Sequence, residues 1–170
     1  MSKIVVTHFE PFGGRNANAS KEVVSLLNGY KTKELPVSWN RVSSLIDDIL
    51  ADNPDYLFMV GEAGSYKQLT IERTAHNIAN GKDNDDVTLN NEPILKDCQD
   101  ILATNFDLNG LDYLISDDAG KYLCNYSYYL ALDKAKSTKV LFIHLPYINN
   151  NLDSLKEDLS NIIKQLTKAN

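Results

Sequence analysis

Ile115-Ser116-Asp117-Asp118-Ala119-Gly120-Lys121-Tyr122-Leu123-Cys124-Asn125-Tyr126 runs from the end of an apolar strand, through a polar turn, into a long helical pattern. Strand, turn and helix in direct succession form the unit that α/β folds repeat. Gly120 permits a sharp turn that a Cβ would hinder. Cys124 falls where the helix begins. Backbone N–H groups of a first helical turn lack intrahelical partners, and that end of the helix dipole is positive. A thiolate placed there is stabilised over the thiol, which makes Cys124 a candidate nucleophile. The competing reading is a structural cysteine packed between helix and sheet.

Outward from this stretch the alternation repeats. On its C-terminal side the helix continues to about Lys136. Val140-Leu141-Phe142-Ile143 then forms a core strand that delivers His144 at its end, and Leu152–Leu166 closes the chain as an amphipathic helix. On its N-terminal side, Tyr113-Leu114-Ile115 reads as a third core strand and Tyr56–Val60 as the second. Ile4-Val5-Val6-Thr7 has no polar alternation and reads as a buried first strand. Between them lie a short helix capped by Ser20, an edge strand over Lys31–Val37 broken by Pro36, and an amphipathic helix over Val42–Ala51. Leu69–Asn77 alternates like one strand, Asn80–Asn91 reads as a surface loop, and Ile94, Leu95, Cys98, Ile101 and Leu102 suggest a short helix. The pattern predicts an α/β protein: a three-layer α/β/α sandwich around a central, largely parallel (mixed) twisted sheet. With no repeat or linker visible, residues 1–170 read as one domain.

Composition excludes several classes. The 170 residues are 43% hydrophobic and 24% charged, as in an ordinary globular protein. A net charge of −6, with no basic block, argues against nucleic acid as a partner. No apolar run is long enough for a membrane span, and Met1-Ser2-Lys3 leads straight into a strand rather than a signal peptide. Two cysteines, Cys98 and Cys124, make no disulfide framework and read as reduced thiols in the cytoplasm, with Cys98 structural. Neither CxxC nor HExxH occurs, so no metal is expected, and no cofactor motif is present.

Loops that follow the carboxyl ends of parallel strands collect at one edge of a sheet. That edge would gather Phe9 and Phe12 from the first loop, Cys124, and His144. Glu72 lies in a partly buried segment and needs a partner there: Arg73 or another basic group, or a histidine in an active site. Cysteine, histidine and carboxylate are the parts of a nucleophilic triad. His76 is placed mid-strand, and His8 precedes a loop built for packing, so both are weaker candidates than His144.

Four segments, Phe9-Glu10-Pro11-Phe12-Gly13-Gly14, Ile71-Glu72-Arg73-Thr74-Ala75-His76-Asn77, Ser116–Tyr126 and Phe142-Ile143-His144-Leu145-Pro146-Tyr147, together resemble the pyroglutamyl peptidase I (pyrrolidone-carboxylate peptidase) family of cysteine peptidases. They occur in the family's order and span most of the chain. The resemblance implies Cys124 as nucleophile, His144 as general base and acid, and Glu72 as the carboxylate that orients the imidazole. It implies removal of an N-terminal pyroglutamyl residue from peptides, without metal or organic cofactor. Phe9, Phe12, Gly61 and Glu62 become the candidate substrate-binding residues, the phenylalanines as an apolar wall for a neutral lactam. Family members are typically cytoplasmic homo-oligomers, so the resemblance implies a cytoplasmic enzyme and allows a homo-oligomer.

The chain departs from the family pattern at several positions. His8 stands where a glycine is usual, Ala19 replaces a proline, Glu62 replaces an uncharged residue, and Tyr66 replaces an arginine. The chain is also shorter, with segments missing before Tyr113 and after Tyr147. These departures keep two alternatives alive: a cysteine amidase of altered specificity, and a catalytically silent binding protein.

Overall fold

The computed structural model describes residues 1–168. In chain order the elements are β1 (Ile4–Phe9), α1 (Ala19–Val24), β2 (Lys31–Leu35), α2 (Val42–Ala51), β3 (Tyr56–Glu62), β4 (Thr70–Glu72), β5 (Thr74–His76), β6 (Ala79–Lys82), β7 (Thr88–Glu92), β8 (Ile101–Ala103), β9 (Leu114–Ser116), α3 (Leu123–Lys134), β10 (Lys139–Leu145) and α4 (Leu152–Leu166). Six strands form the central sheet in the order β2-β1-β3-β10-β4-β9. β2, β1, β3 and β10 are mutually parallel; β4 runs antiparallel to β10, and β9 parallel to β4. The sheet is mixed and mostly parallel, with helices on both faces, as the alternation predicts.

Side chains on successive strand residues point to opposite faces, so each strand supplies two cores. Val5, Leu57, Met59, Val140 and Phe142 face one layer and pack with residues of α2 and α3. Val6, Phe58, Val60, Leu141 and Ile143 face the other, against α1 and α4. Each fully buried residue of this kind contributes roughly 1.5–3 kcal/mol of transfer free energy. The strands lack polar alternation because both faces are covered. None of the described helices is long and apolar enough to cross a membrane.

Six local expectations are corrected. The N-cap of α1 is Asn18, which accepts from the Ser20 amide at 3.0 Å; the Ser20 hydroxyl instead accepts from the Phe9 amide. Leu69–Asn77 is two strands, because the chain leaves the central sheet at Arg73 and β5 pairs with β8. Asn80–Asn91 is part of the β6–β7 hairpin, not a loop. The buried Asp83 fixes its turn, accepting from the amides of Asp85 and Val87 at 2.9 Å and of Trp39 at 2.8 Å. The Ile94–Leu102 segment is not helical. Asn77 Oδ1 captures the amides of Ile94 and Leu95 at 2.7 and 2.9 Å, and Cys98, expected to be structural, is exposed. Finally, β9 is the sheet edge rather than a core strand, with Leu114 and Ile115 exposed.

Candidate active site

The helix that carries Cys124 is fastened to the sheet from two sides. Asn125, fully buried, donates from Nδ2 to the carbonyls of His76 and Ile78 and accepts the His76 amide at Oδ1. One turn on, the Tyr128 hydroxyl donates to the Glu72 carbonyl at 2.8 Å. Before the helix, Gly120 takes φ +82°, a left-handed turn that suits glycine, and its amide donates to Asp118 Oδ1. Tyr122 is the N-cap residue and α3 begins at Leu123, so Cys124 lies in the first turn, as the sequence predicts.

His144 and Glu72 sit on adjacent antiparallel strands. The register pairs Phe142 with Glu72 and His144 with Thr70, which places His144 and Glu72 on one face as diagonal neighbours. The ring nitrogen Nδ1 lies 2.8 Å from Glu72 Oε1. Against a carboxylate Nδ1 carries the proton, which leaves Nε2 as the acceptor. Both residues are buried. Glu72 Oε1 also accepts from the Tyr66 hydroxyl at 2.6 Å, while Oε2 has no hydrogen-bond partner among the described residues. Arg73 does not serve Glu72; it turns outward to Asp117, with Nε to Oδ1 at 2.8 Å.

On the other side of β10, Gly61 is the register partner of His144. A Cβ at Gly61 would stand 2.6 Å from Cys124 Sγ and 2.7 Å from Phe142 Cζ. The missing side chain is what lets the sulfur settle against the sheet at Gly61. Cys124, His144, Glu62, Phe12, Tyr66 and Tyr122 line a cavity of about 480 Å³. A smaller apolar recess opens between Phe9, Phe12, Tyr122 and Cys124, with Glu62 at its side.

Glu62 is buried and doubly held. Oε2 accepts the Ala19 amide at 2.7 Å, and Oε1 pairs with the Arg15 guanidinium, which also lies 4.1 Å over the Tyr147 ring. The loops after β1 and β10 therefore meet through Arg15, beside Glu62.

Burial pushes the Cys124 thiol up, and the charges of Glu72 and then Glu62 push it further. Desolvation and two nearby carboxylates favour the thiol, and so act against the stabilisation of a thiolate by the helix start. Tyr66 is pushed up to about 12, first by burial and then by its bond to Glu72, so its hydroxyl stays a donor.

With the geometry in place, comparison with known proteins is decisive. A family model described as pyroglutamyl peptidase matches residues 2–163. The chain belongs to the pyroglutamyl peptidase family. A pyrrolidone-carboxylate peptidase of Fusobacterium nucleatum is 33% identical, over 99% of this chain and 91% of its own length. One of Lactobacillus johnsonii is also 33% identical, over 98% of this chain and 90% of its own. Among solved structures, pyrrolidone carboxyl peptidase of Thermococcus litoralis superposes with a TM-score of 0.87 at 26% identity, covering 98% of this chain and 93% of that one. The enzyme of Thermus thermophilus gives 0.84 at 27%, covering 96% and 97%. The Fusobacterium alignment spans 195 positions against 170 residues here, so that relative of the pyroglutamyl peptidase family carries segments this chain lacks.

Of the residues singled out from sequence, Cys124, Glu62 and Phe12 line the cavity with His144, Glu72 stands behind His144, and Gly61 spaces the sulfur. Phe9 is a core residue that reaches only the recess. His76 bonds the Asp117 carbonyl, and His8 lies by Glu34; neither lines the cavity. Sequence reasoning missed Asn125, Arg15 and the role of Tyr66. Asn125 carried a usable signal, since a polar residue next to the candidate nucleophile on a buried helix needs partners.

Proposed function

We propose that this member of the family is a cysteine exopeptidase that hydrolyses the amide bond after an N-terminal pyroglutamyl residue, with Cys124, His144 and Glu72 as its triad. The observation that carries the reading is the 2.8 Å contact of His144 Nδ1 with Glu72 Oε1 at the wall of the cavity that Cys124 also lines. The names borne by the relatives support it.

The chemistry follows from these groups. His144 Nε2 takes the proton from the Cys124 thiol as the sulfur bonds to the scissile carbonyl carbon. General-base help of this kind is worth about 10²–10⁴ in rate. Glu72 stabilises the imidazolium that forms. Backbone N–H groups at the start of α3 hold the oxyanion. The C–N bond then breaks, and the imidazolium gives its proton to the leaving amine. Water, deprotonated by His144, attacks the thioester, and the sulfur leaves and regains a proton. The cavity wall formed by Phe12 and Tyr122 beside Cys124 suits a neutral lactam ring, and Glu62 at its side is paired with Arg15.

His8 lies off the cavity, which removes one motive for an amidase of altered specificity. A net charge of −6 supports a peptide substrate over nucleic acid. Both cysteines are free thiols, which suits a reducing compartment, and we place the protein in the cytoplasm. The test is turnover of a chromogenic pyroglutamyl amide. Wild type should release the chromophore, and Cys124→Ala should lose turnover with its melting curve retained. Equal activity in that variant would refute the assignment.

A further inference from the structure

Tyr66 sits between the two halves of the machinery. It belongs to the loop after β3, yet its hydroxyl reaches Glu72 Oε1 at 2.6 Å, Ser116 Oγ at 3.2 Å and the Asp118 carbonyl at 3.0 Å. Ser116 Oγ in turn accepts the Asp118 amide at 3.0 Å. One hydroxyl therefore joins the carboxylate behind the base to the turn that leads into the nucleophile's helix. The Tyr66 ring packs beside the His144 ring, with centroids 5.5 Å apart. A phenolic hydroxyl has one proton. The shortest contact, to the carboxylate, takes it, and the phenolic oxygen accepts from Ser116.

Glu72 has few other supports. From β10 it faces His144; from α3, the Tyr128 hydroxyl bonds only its backbone carbonyl, and the Cys124 thiol lies nearby; its neighbour Arg73 is engaged by Asp117. Oε2 is buried without a hydrogen-bond partner. The whole carboxylate is thus held by two donors on a single oxygen, Tyr66 and His144.

We propose that Tyr66 is a positioning residue: its hydroxyl locks the Glu72 carboxylate and the 116–120 turn into one unit, and so fixes both the orientation and the basicity of His144 toward Cys124. The inference rests on the triad reading above. It assigns a mechanistic task to a position where this chain departs from the family pattern.

The physical consequence has a sign. Sharing Oε1 with Tyr66 draws electron density from the bond to His144. Without that donor the carboxylate compensates an imidazolium more strongly, so His144 keeps its proton to higher pH. Orientation loosens as well, because Glu72 would be held by His144 alone.

Tyr66→Phe keeps the ring over His144 and removes only the hydroxyl. In this variant kcat should fall about tenfold or more with KM changed less than about threefold, since loss of alignment acts on the chemical step. The acid limb of the kcat/KM profile should move up by about one pH unit. Ser116→Ala, which cuts the arm to the turn and spares the carboxylate, should leave that limb in place. The rate of Cys124 alkylation by iodoacetamide against pH gives a readout that needs no peptide turnover, and its His144 inflection should move in Tyr66→Phe as the kinetic limb does. If wild type fails to cleave the pyroglutamyl amide while the alkylation inflection still moves, the substrate assignment falls and the positioning role stands. An unmoved inflection in folded Tyr66→Phe, or an equal movement in Ser116→Ala, overturns the proposal.

Discussion

The backbone amide of Ala19 donates to Glu62 Oε2 at 2.7 Å. Ala19 is the first residue of α1, and its predecessor Asn18 is extended, at φ −135° and ψ 127°. Both features suit a proline at this position, which the family pattern usually has. A proline has no amide proton. The two departures at positions 19 and 62 are therefore one unit: a carboxylate at 62 needs the donor that alanine at 19 supplies. Ala19→Pro alone should destabilise the protein by about 1–3 kcal/mol, because a buried carboxylate loses a hydrogen bond. In a Glu62→Gln background the same change should cost far less. Urea melts of the two single variants and the double variant measure the coupling, and additivity within about 0.5 kcal/mol would contradict it.

Gly61→Ala should abolish most activity. The new Cβ would stand 2.6 Å from Cys124 Sγ and 2.7 Å from the Phe142 ring. Phe142 is locked in the core, so the sulfur must yield and leave its place in the cavity that His144 also lines. Overpacking of this kind costs about 1–3 kcal/mol. Turnover should fall further than stability does, as paired kinetic and denaturation measurements would show.

Glu72→Gln separates charge from geometry. Its amide oxygen can still accept from Tyr66 and His144, which preserves the tautomer. The amide nitrogen then lies where Oε2 now finds no partner, and the negative charge opposite the imidazolium is gone. We expect kcat to fall by about 10²–10⁴ while the fold persists. A variant with wild-type kcat would show that the carboxylate charge is not used.

The pH dependence of stability carries the signature of the Cys124 thiol. Burial, then Glu72 and Glu62, raise it above its ordinary value of 9.0. Below that value both folded and unfolded thiols are protonated, and the group contributes no pH dependence. Above it the unfolded chain loses the proton first and binds fewer protons than the native state, so stability falls as pH rises. Wild type should therefore lose more stability than Cys124→Ala above pH 9.0. Tyr66 and Tyr128 are also raised, but by causes that do not involve the thiol, so they cancel in the difference. Parallel slopes in urea melts would place the thiol in ordinary solvent.

Glu72 shows how far the sequence reaches. A carboxylate beside Ile71 in a buried strand had to have a partner, and both arginine and histidine were available neighbours or candidates. Only the antiparallel register of β4 on β10 chose His144 and turned Arg73 to Asp117. The same limit applies to Tyr66, whose partners are 6, 50 and 52 residues away.

Local pattern alone determined the layered α/β architecture, the apolar strands β1, β3 and β10, the helices α2 and α4, and the placement of Cys124 in a first helical turn. These follow from side-chain periodicity, which is a property of neighbours in sequence. Tertiary structure decided what periodicity does not encode. It made a hairpin of the polar stretch around Asp83, because Trp39 supplies the contact that holds it. It kept Ile94 and Leu95 out of a helix, because Asn77 took their amides. It set desolvation and the charges of Glu72 and Glu62 against a thiolate at Cys124, because these groups are brought close only by folding.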